Sequence, residues 1–327
     1  MLRWLIIGGI MVLTAGCEPP RRDGERVRDV PLTTEEQLEA RRRALTDAID
    51  EDPRADYFYQ RAELSRELKD PAAALEDLQQ AVALDSSRVR YHVALARAYR
   101  DVEQIPAALR AAREAERLGS EDPTLYLTLG EIYLILREYQ RSLGYLNQAL
   151  QLAPFGPAGY YYKGLVYAET GDTAQAVSSL QTALEQDNTY ADAYSTLASI
   201  HLATGDYRTA LLYLDAGRRF TPDDAFVPYN QGVAYEGLGR ADTAETFYEQ
   251  AVALDSTLDL AWYNLGAMYL NRRDYPTAAR YFQRVVDVRP QRADGHYWLA
   301  YAARRNGDLT TAETHFERTT ELGGRFA

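Results

Sequence analysis

The sequence predicts an all-α solenoid built from helix-turn-helix units of 34 residues stacked end to end. Three observations predict it. The heptapeptide at 80–86 (QAVALDS) returns unchanged at 250–256, which is five periods of 34 later. A small residue recurs every 34 positions, at Ala62, Ala96, Gly130, Gly164, Ala198, Gly232, Gly266 and Ala300. Twelve residues beyond each comes a second small residue: Ala74, Ala108, Ser142, Ala176, Ala210, Ala244, Ala278 and Ala312. Small residues let two antiparallel helices approach closely. The larger residue four further on then fills the space beside them, as at Leu78, Leu146, Leu180, Leu214, Tyr248, Phe282 and Phe316, with Ala112 out of line.

The chain before the repeats divides in three. Residues 1–16 carry one basic residue, Arg3, and then an apolar run from Trp4 to Leu13. That run is about half the ~20 residues a membrane span needs, so it reads as a signal-peptide core. It ends at Leu13-Thr14-Ala15-Gly16-Cys17, which resembles a bacterial lipoprotein lipobox, with Thr14 where Leu is more usual. Cys17 is the chain's one cysteine, which excludes an internal disulfide and makes it the expected lipid attachment site. Residues 17–32 are polar and proline-bearing and read as a disordered tether. Residues 33–54 read as an N-terminal capping helix. Thr33 or Thr34 stands as its cap, Glu36 and Gln37 are placed for a capping box, and Asp52-Pro53 closes it.

Eight units follow over 55–326, each with a first helix expected to start near the unit boundary and run about 14 residues. Their pattern resembles the tetratricopeptide repeat (TPR) family. It is carried best by Trp262-Tyr263-Asn264-Leu265-Gly266-Ala267-Met268-Tyr269 with Ala278, Phe282 and Pro290 downstream. The resemblance implies a right-handed TPR superhelix. Only Pro154, Pro222 and Pro290 supply the family's repeat-ending proline, and the same three repeats carry Tyr139, Tyr207 and Tyr275, a 68-residue pairing on the basic period. The final second helix is polar and has Thr319 where a small apolar residue is expected, so it solvates the open end of the stack itself.

Composition narrows the function. A net charge of −12 and a pI near 5.0 argue against a general nucleic-acid binder. The four histidines, His92, His201, His296 and His315, show no metal-ligand spacing, and no nucleotide-binding or nucleophile motif is present. No enzyme activity, cofactor or metal is expected. In the TPR family, positions 2, 5, 9 and 12 of each first helix line a concave groove. Here those positions, with their immediate neighbours, present Tyr161, Phe226, Tyr229, Asn230, Tyr263, Asn264, Tyr297 and Tyr301, with Arg90, Arg97, Arg100, Arg304 and Arg305 near the two ends. The few acids there are Glu131, Asp192 and Glu236, with Glu169 one position on. The resemblance implies that the two asparagines hold a peptide backbone, while the tyrosines supply apolar contact. The competing reading of the tyrosines is inter-repeat packing. The chain therefore reads as a membrane-anchored TPR adaptor of the bacterial envelope, lipid-anchored toward the periplasm, at the outer membrane by the residue after Cys17. It would bind protein partners, as a pilotin-like assembly factor or as a scaffold for cell-wall enzymes. The alternative is a glycan- or cell-wall-binding receptor.

Overall fold

A computed structural model describes residues 34–324, among which all regular structure is α-helical. The signal segment, Cys17 and the tether lie outside the described residues. Helix α1 (Thr34–Glu51) packs on α2 (Ala55–Glu67), the first helix of repeat one. Each repeat is then a pair: α2 with α3 (Pro71–Leu84), α4 (Val89–Asp101) with α5 (Ile105–Arg117), α6 (Pro123–Ile135) with α7 (Tyr139–Leu152), and α8 (Pro157–Glu169) with α9 (Thr173–Gln186). The series continues with α10 (Ala191–Ala203) and α11 (Tyr207–Gly217), α12 (Phe226–Gly237) and α13 (Ala241–Leu254), α14 (Asp259–Asn271) and α15 (Tyr275–Val288), and α16 (Ala293–Asn306) and α17 (Leu309–Glu321). The first helices keep the 34-residue register; α12 alone begins one residue late, and most run 13 residues rather than 14.

The marker residues do what their sizes require. In the four repeats whose marker is glycine, a Cβ would stand 2.5 Å from Leu146 at Gly130, 2.6 Å from Leu180 at Gly164, 2.6 Å from the Tyr248 ring at Gly232 and 2.9 Å from the Phe282 ring at Gly266. Those partners are fully buried, as are Leu78 and Ala112. The core is thus a row of equivalent joints running the length of the stack.

Two local devices repeat with the period and were not visible as motifs. The residue between the helices of each repeat has positive φ in every case: Lys69, Glu103, Arg137, Gly171, Gly205, Gly239, Arg273 and Gly307. Four of the eight are not glycine, so the turn is imposed by helix packing rather than by residue type. The next residue caps the second helix, and where it is aspartate its carboxylate accepts from the third amide of that helix, as Asp70 does from Ala73 and Asp274 from Thr277. The second device lies at position 4 of the first helix. There a ring donor reaches the carbonyl six residues back: His92 to Ser86, Tyr126 to Ser120, Tyr160 to Pro154, Tyr194 to Asn188, Trp262 to Ser256 and His296 to Pro290. Each ties a first helix to the loop that leads into it, which gives His92 and His296 structural roles.

The 68-residue pairing also acquires a cause. Tyr139, Tyr207 and Tyr275 each start a second helix and reach the end of the next repeat's first helix, 30 residues on. Tyr139 donates to Glu169, Tyr207 lies where a Cβ on Gly237 would meet its ring at 2.3 Å, and Tyr275 meets Arg305 at 3.0 Å. At the far end, Thr319 is buried and returns its hydroxyl to the His315 carbonyl at 2.8 Å, so the polar last helix satisfies its own buried oxygen. No helix among the described residues is long and apolar enough to cross a membrane.

Candidate peptide-binding groove

First helices of successive repeats lie side by side, with α4 against α6, α6 against α8 and α10 against α12. Their shared face is where the groove residues fall. It is not uniform along the stack.

At its N-terminal end the arginines are already engaged. Arg90 pairs with Asp56 and lies 5.2 Å over the rings of Tyr59 and Tyr91. Arg97 grips Glu63 with 2.7 and 2.8 Å bonds. Arg100 pairs with Asp101 and with the buried carboxylate of Glu131. Asp56 and Arg90 occupy the same position in consecutive repeats, as do Glu63 and Arg97, so stacking itself brings them together. Arg90, Arg97 and Arg100, expected near this end of the groove, are thus each held by a carboxylate of the same chain. At the other end, Arg305 bonds the Tyr275 hydroxyl, while Arg304 is exposed with no side-chain partner.

The tyrosines are half-buried and touch other rings. Tyr161 packs against Tyr162 and Tyr190, at 5.2 and 5.1 Å between centroids. Burial raises all three phenols, Tyr162 and Tyr190 to about 12, so they stay protonated donors at neutral pH. Tyr229 lies between Phe226, edge-on at 6.3 Å, and the fully buried Tyr248, at 5.9 Å. Tyr248 donates to Glu236 at 2.7 Å, and burial and that carboxylate together push its pKa up strongly. Tyr263 stands edge-on to Phe282, with the Arg292 guanidinium 4.5 Å over its ring. Tyr297 meets Trp298 and Phe316, and Tyr301 meets Trp298. Phe226 is the most open of these aromatics, half exposed.

The asparagines divide. The Asn264 amide faces the phenols of Tyr229 and Tyr248 across the joint between repeats six and seven, and against the upward push of burial it draws both pKa values down. Asn230 is half-buried and makes no side-chain hydrogen bond among the described residues.

An apolar open region lies elsewhere. A cleft of ≈ 490 Å³ crosses three repeats in the middle of the stack. Its floor is Leu134, Ile135, Leu165, Ala168, Ile200 and Ala203, with Thr196 and Ser199 among them and Arg137 and Glu169 at its edge. Ile135 is 57% exposed, an isoleucine left in water by its own fold. Leu134 and Leu165 stand at groove positions in the sequence. Ile135 and Ile200 do not, yet both line the cleft. Among the described residues no group of three or more histidine, cysteine, aspartate or glutamate side chains is placed to hold a metal.

This architecture defines a helical-repeat binding protein, and comparison with known proteins agrees. The chain belongs to the tetratricopeptide repeat family: three TPR family models match residues 93–157 and 263–324, 167–226, and 55–88 and 229–258. A curated human relative, tetratricopeptide repeat protein 6, is 27% identical over 99 residues, which is 30% of this chain and 19% of that protein. The match thus spans about a fifth of the relative's length. Among solved structures, a human IFIT1 dimer with PPP-AAAA aligns over 89% of this chain and 69% of its own, with 17% identity and a TM-score of 0.61. PilF of Pseudomonas aeruginosa aligns over 61% of this chain and 91% of its own, at 18% identity and a TM-score of 0.55. The APC/C hetero-tetramer Cut9-Hcn1 aligns over 90% and 58%, at 16% identity and a TM-score of 0.59. Likeness at these identities is likeness of fold.

Proposed function

We propose that this protein is a membrane-anchored adaptor that holds an apolar segment of a partner protein along its first-helix face, helping an envelope complex assemble. TPR stacks serve protein–protein interaction, and the observation that carries the specific reading is the solvent-open apolar cleft across α6, α8 and α10. An exposed apolar floor of this kind costs solubility unless a partner covers it. The anchor is lipid on Cys17, several acyl chains being needed for stable attachment. A tether of residues 17–32 reaches about 50 Å at ~3.3 Å per residue. Periplasmic placement at the outer membrane follows from that anchor. Partners are proteins rather than nucleic acid, since a chain with net charge −12 repels phosphate. Within this reading, a pilotin-like role fits better than a scaffold for cell-wall enzymes, because an apolar cleft that crosses three repeats suits one extended hydrophobic segment. The same apolar floor favours a protein partner over the glycan reading, which needs flat exposed rings beside hydrogen-bonding groups.

Two measurements test this. Cys17→Ser is expected to release the protein from the membrane fraction and to abolish lipid-linked mass. A photo-crosslinking residue at Leu165 is expected to capture an envelope protein in native membranes, identified by mass spectrometry, whereas one at exposed Leu212 on α11 does not. Equal capture from both positions, or glycan alone retained on the purified protein, defeats the adaptor reading.

A further inference from the structure

We propose that the partner segment is cationic as well as apolar, alternating lysine or arginine with large hydrophobic residues. The inference rests on the groove reading above and adds the partner's charge. It comes from asking which groove charges the protein leaves unpaired. On the N-terminal side each one is matched: Arg90 with Asp56, Arg97 with Glu63, Arg100 with Glu131. In repeats four to six the pattern reverses. Glu169, Asp192 and Glu236 are exposed, and none has a cation within ion-pair reach among the described residues.

Each of the three stands beside apolar or aromatic surface. Glu169 edges the cleft. Asp192 acts electrostatically on Tyr161 and Tyr162. Glu236 acts on Tyr229 and accepts the Tyr248 hydroxyl. A cation entering here meets a carboxylate and a half-exposed ring face together, the two attractions an arginine or lysine head offers at once. The field around them has the same sign. Residues 157–258 contain five basic side chains (Lys163, Arg208, Arg218, Arg219, Arg240) against fourteen acidic ones. The one cation lining the cleft is Arg137, at its rim. A concave surface lined by one sign of charge concentrates oppositely charged ligands and speeds their arrival. An acidic partner would find the N-terminal arginines already held by carboxylates, and the exposed Arg304 stands apart from these three acids, in repeat eight.

The test uses the purified full-length lipidated protein in a neutral detergent and three labelled peptides of equal length, leucine–lysine, leucine–serine and leucine–glutamate. The leucine–lysine peptide is expected to bind most tightly, and to weaken by about tenfold or more as salt rises from about 0.05 to 0.3 M. The triple variant Glu169→Gln, Asp192→Asn, Glu236→Gln is expected to lose about tenfold in affinity for that peptide while keeping its helicity. Glu185→Gln with Glu249→Gln, two acids exposed on second helices, is expected to change it by less than about twofold. Equal binding of the serine or glutamate peptide overturns the charge assignment and leaves the apolar groove standing. Losses as large in the second-helix variant show a general field and also overturn it. Binding of none of the peptides overturns both the charge assignment and the groove.

Discussion

Repeats one to three and repeats four to seven use the same 34-residue register to solve one problem in two ways. In the first group, neighbouring first helices are joined largely by ion pairs that span one period, such as Asp56 with Arg90 and Glu63 with Arg97. In the second group rings take over: Tyr161 packs on Tyr190 at the boundary of repeats four and five, and within single repeats Tyr229 packs on Tyr248 and Tyr263 on Phe282, with Arg292 and Asp259 the ion pair at the boundary of repeats seven and eight. The ion-paired joints consume the charges on the groove face, because every guanidinium there meets a carboxylate of the same protein. The aromatic joints are held by dispersion and burial, so nearby carboxylates and the open cleft stay free for another molecule. Cohesion and binding therefore compete for polar groups in one half of the stack and not in the other.

The largest expected effect tests the aromatic half. Phe282 is fully buried between α14 and α16, touching Tyr263 and Trp298. Phe282→Ala should cost about 3–5 kcal/mol from lost transfer energy and the cavity left behind. In a stack where each repeat touches only its neighbours, the loss should concentrate in repeats six to eight. Hydrogen exchange resolved by helix measures this. Loss spread evenly from α2 to α17 would show that the repeats unfold as one unit and that the regional contrast has no energetic meaning.

The next effect tests the ion-paired half. Glu131 is buried, with 8% of its side chain exposed, and Arg100 is its cationic partner. Arg100→Ala strands that carboxylate and should destabilise repeats two and three by about 3 kcal/mol. Adding Glu131→Leu removes the stranded charge and should restore most of the loss, because a buried pair is dear to break and cheap to replace whole. Denaturant unfolding of the single and double variants checks it. If the double variant is no more stable than the single, Arg100 acts through packing and not through the pair.

Much of the fold was legible in the sequence because it follows from local sterics repeated eight times. The Gly266–Ala278–Phe282 spacing states directly which helices touch and how closely. The groove was legible only as a list of positions. Which of its side chains are free depends on contacts one period away, between residues such as Glu63 and Arg97 that are distant along the chain. That signal was available as same-position residues of opposite charge in consecutive repeats. The cleft was less accessible still, since Ile135 and Ile200 line it from outside the groove positions. The left-handed turn at Lys69, Glu103, Arg137 and Arg273 left no residue signature at all.

The smallest expected effect sharpens the comparison down to one position in two repeats. His92 in repeat two and His296 in repeat eight are equivalent, and each donates from Nε2 to the carbonyl six residues back. A carbonyl only accepts, so the neutral His296 ring has Nδ1 free to accept. That atom lies 2.8 Å from Nδ1 of His315, which must then be the donor. Nineteen residues on from His92 stands Ala111, so repeat two has no such pair. Burial, and then the neighbouring His296, hold the His315 pKa below the ordinary imidazole value of 6.5. Of the other charged groups around this joint, Arg318 on α17 is tied to Glu321 and Gln291, and Asp294 on α16 to Arg292. A lowered folded pKa means the unfolded chain takes up the proton first. The stabilisation is therefore complete above about pH 6.5 and is lost as pH falls below it. Exchange protection of α17, corrected for intrinsic rates, should drop between about pH 7 and 5, while α4 and α5 hold theirs. His296→Tyr keeps the bond to the Pro290 carbonyl, as Tyr126, Tyr160 and Tyr194 do in their own repeats. It also removes the second imidazole, so His315 should titrate closer to its ordinary value and the acid loss at α17 should shrink. Protection of α17 that stays flat down to pH 5, or a His315 titration at or above 6.5 in the unaltered protein, would leave the two histidine positions equivalent after all.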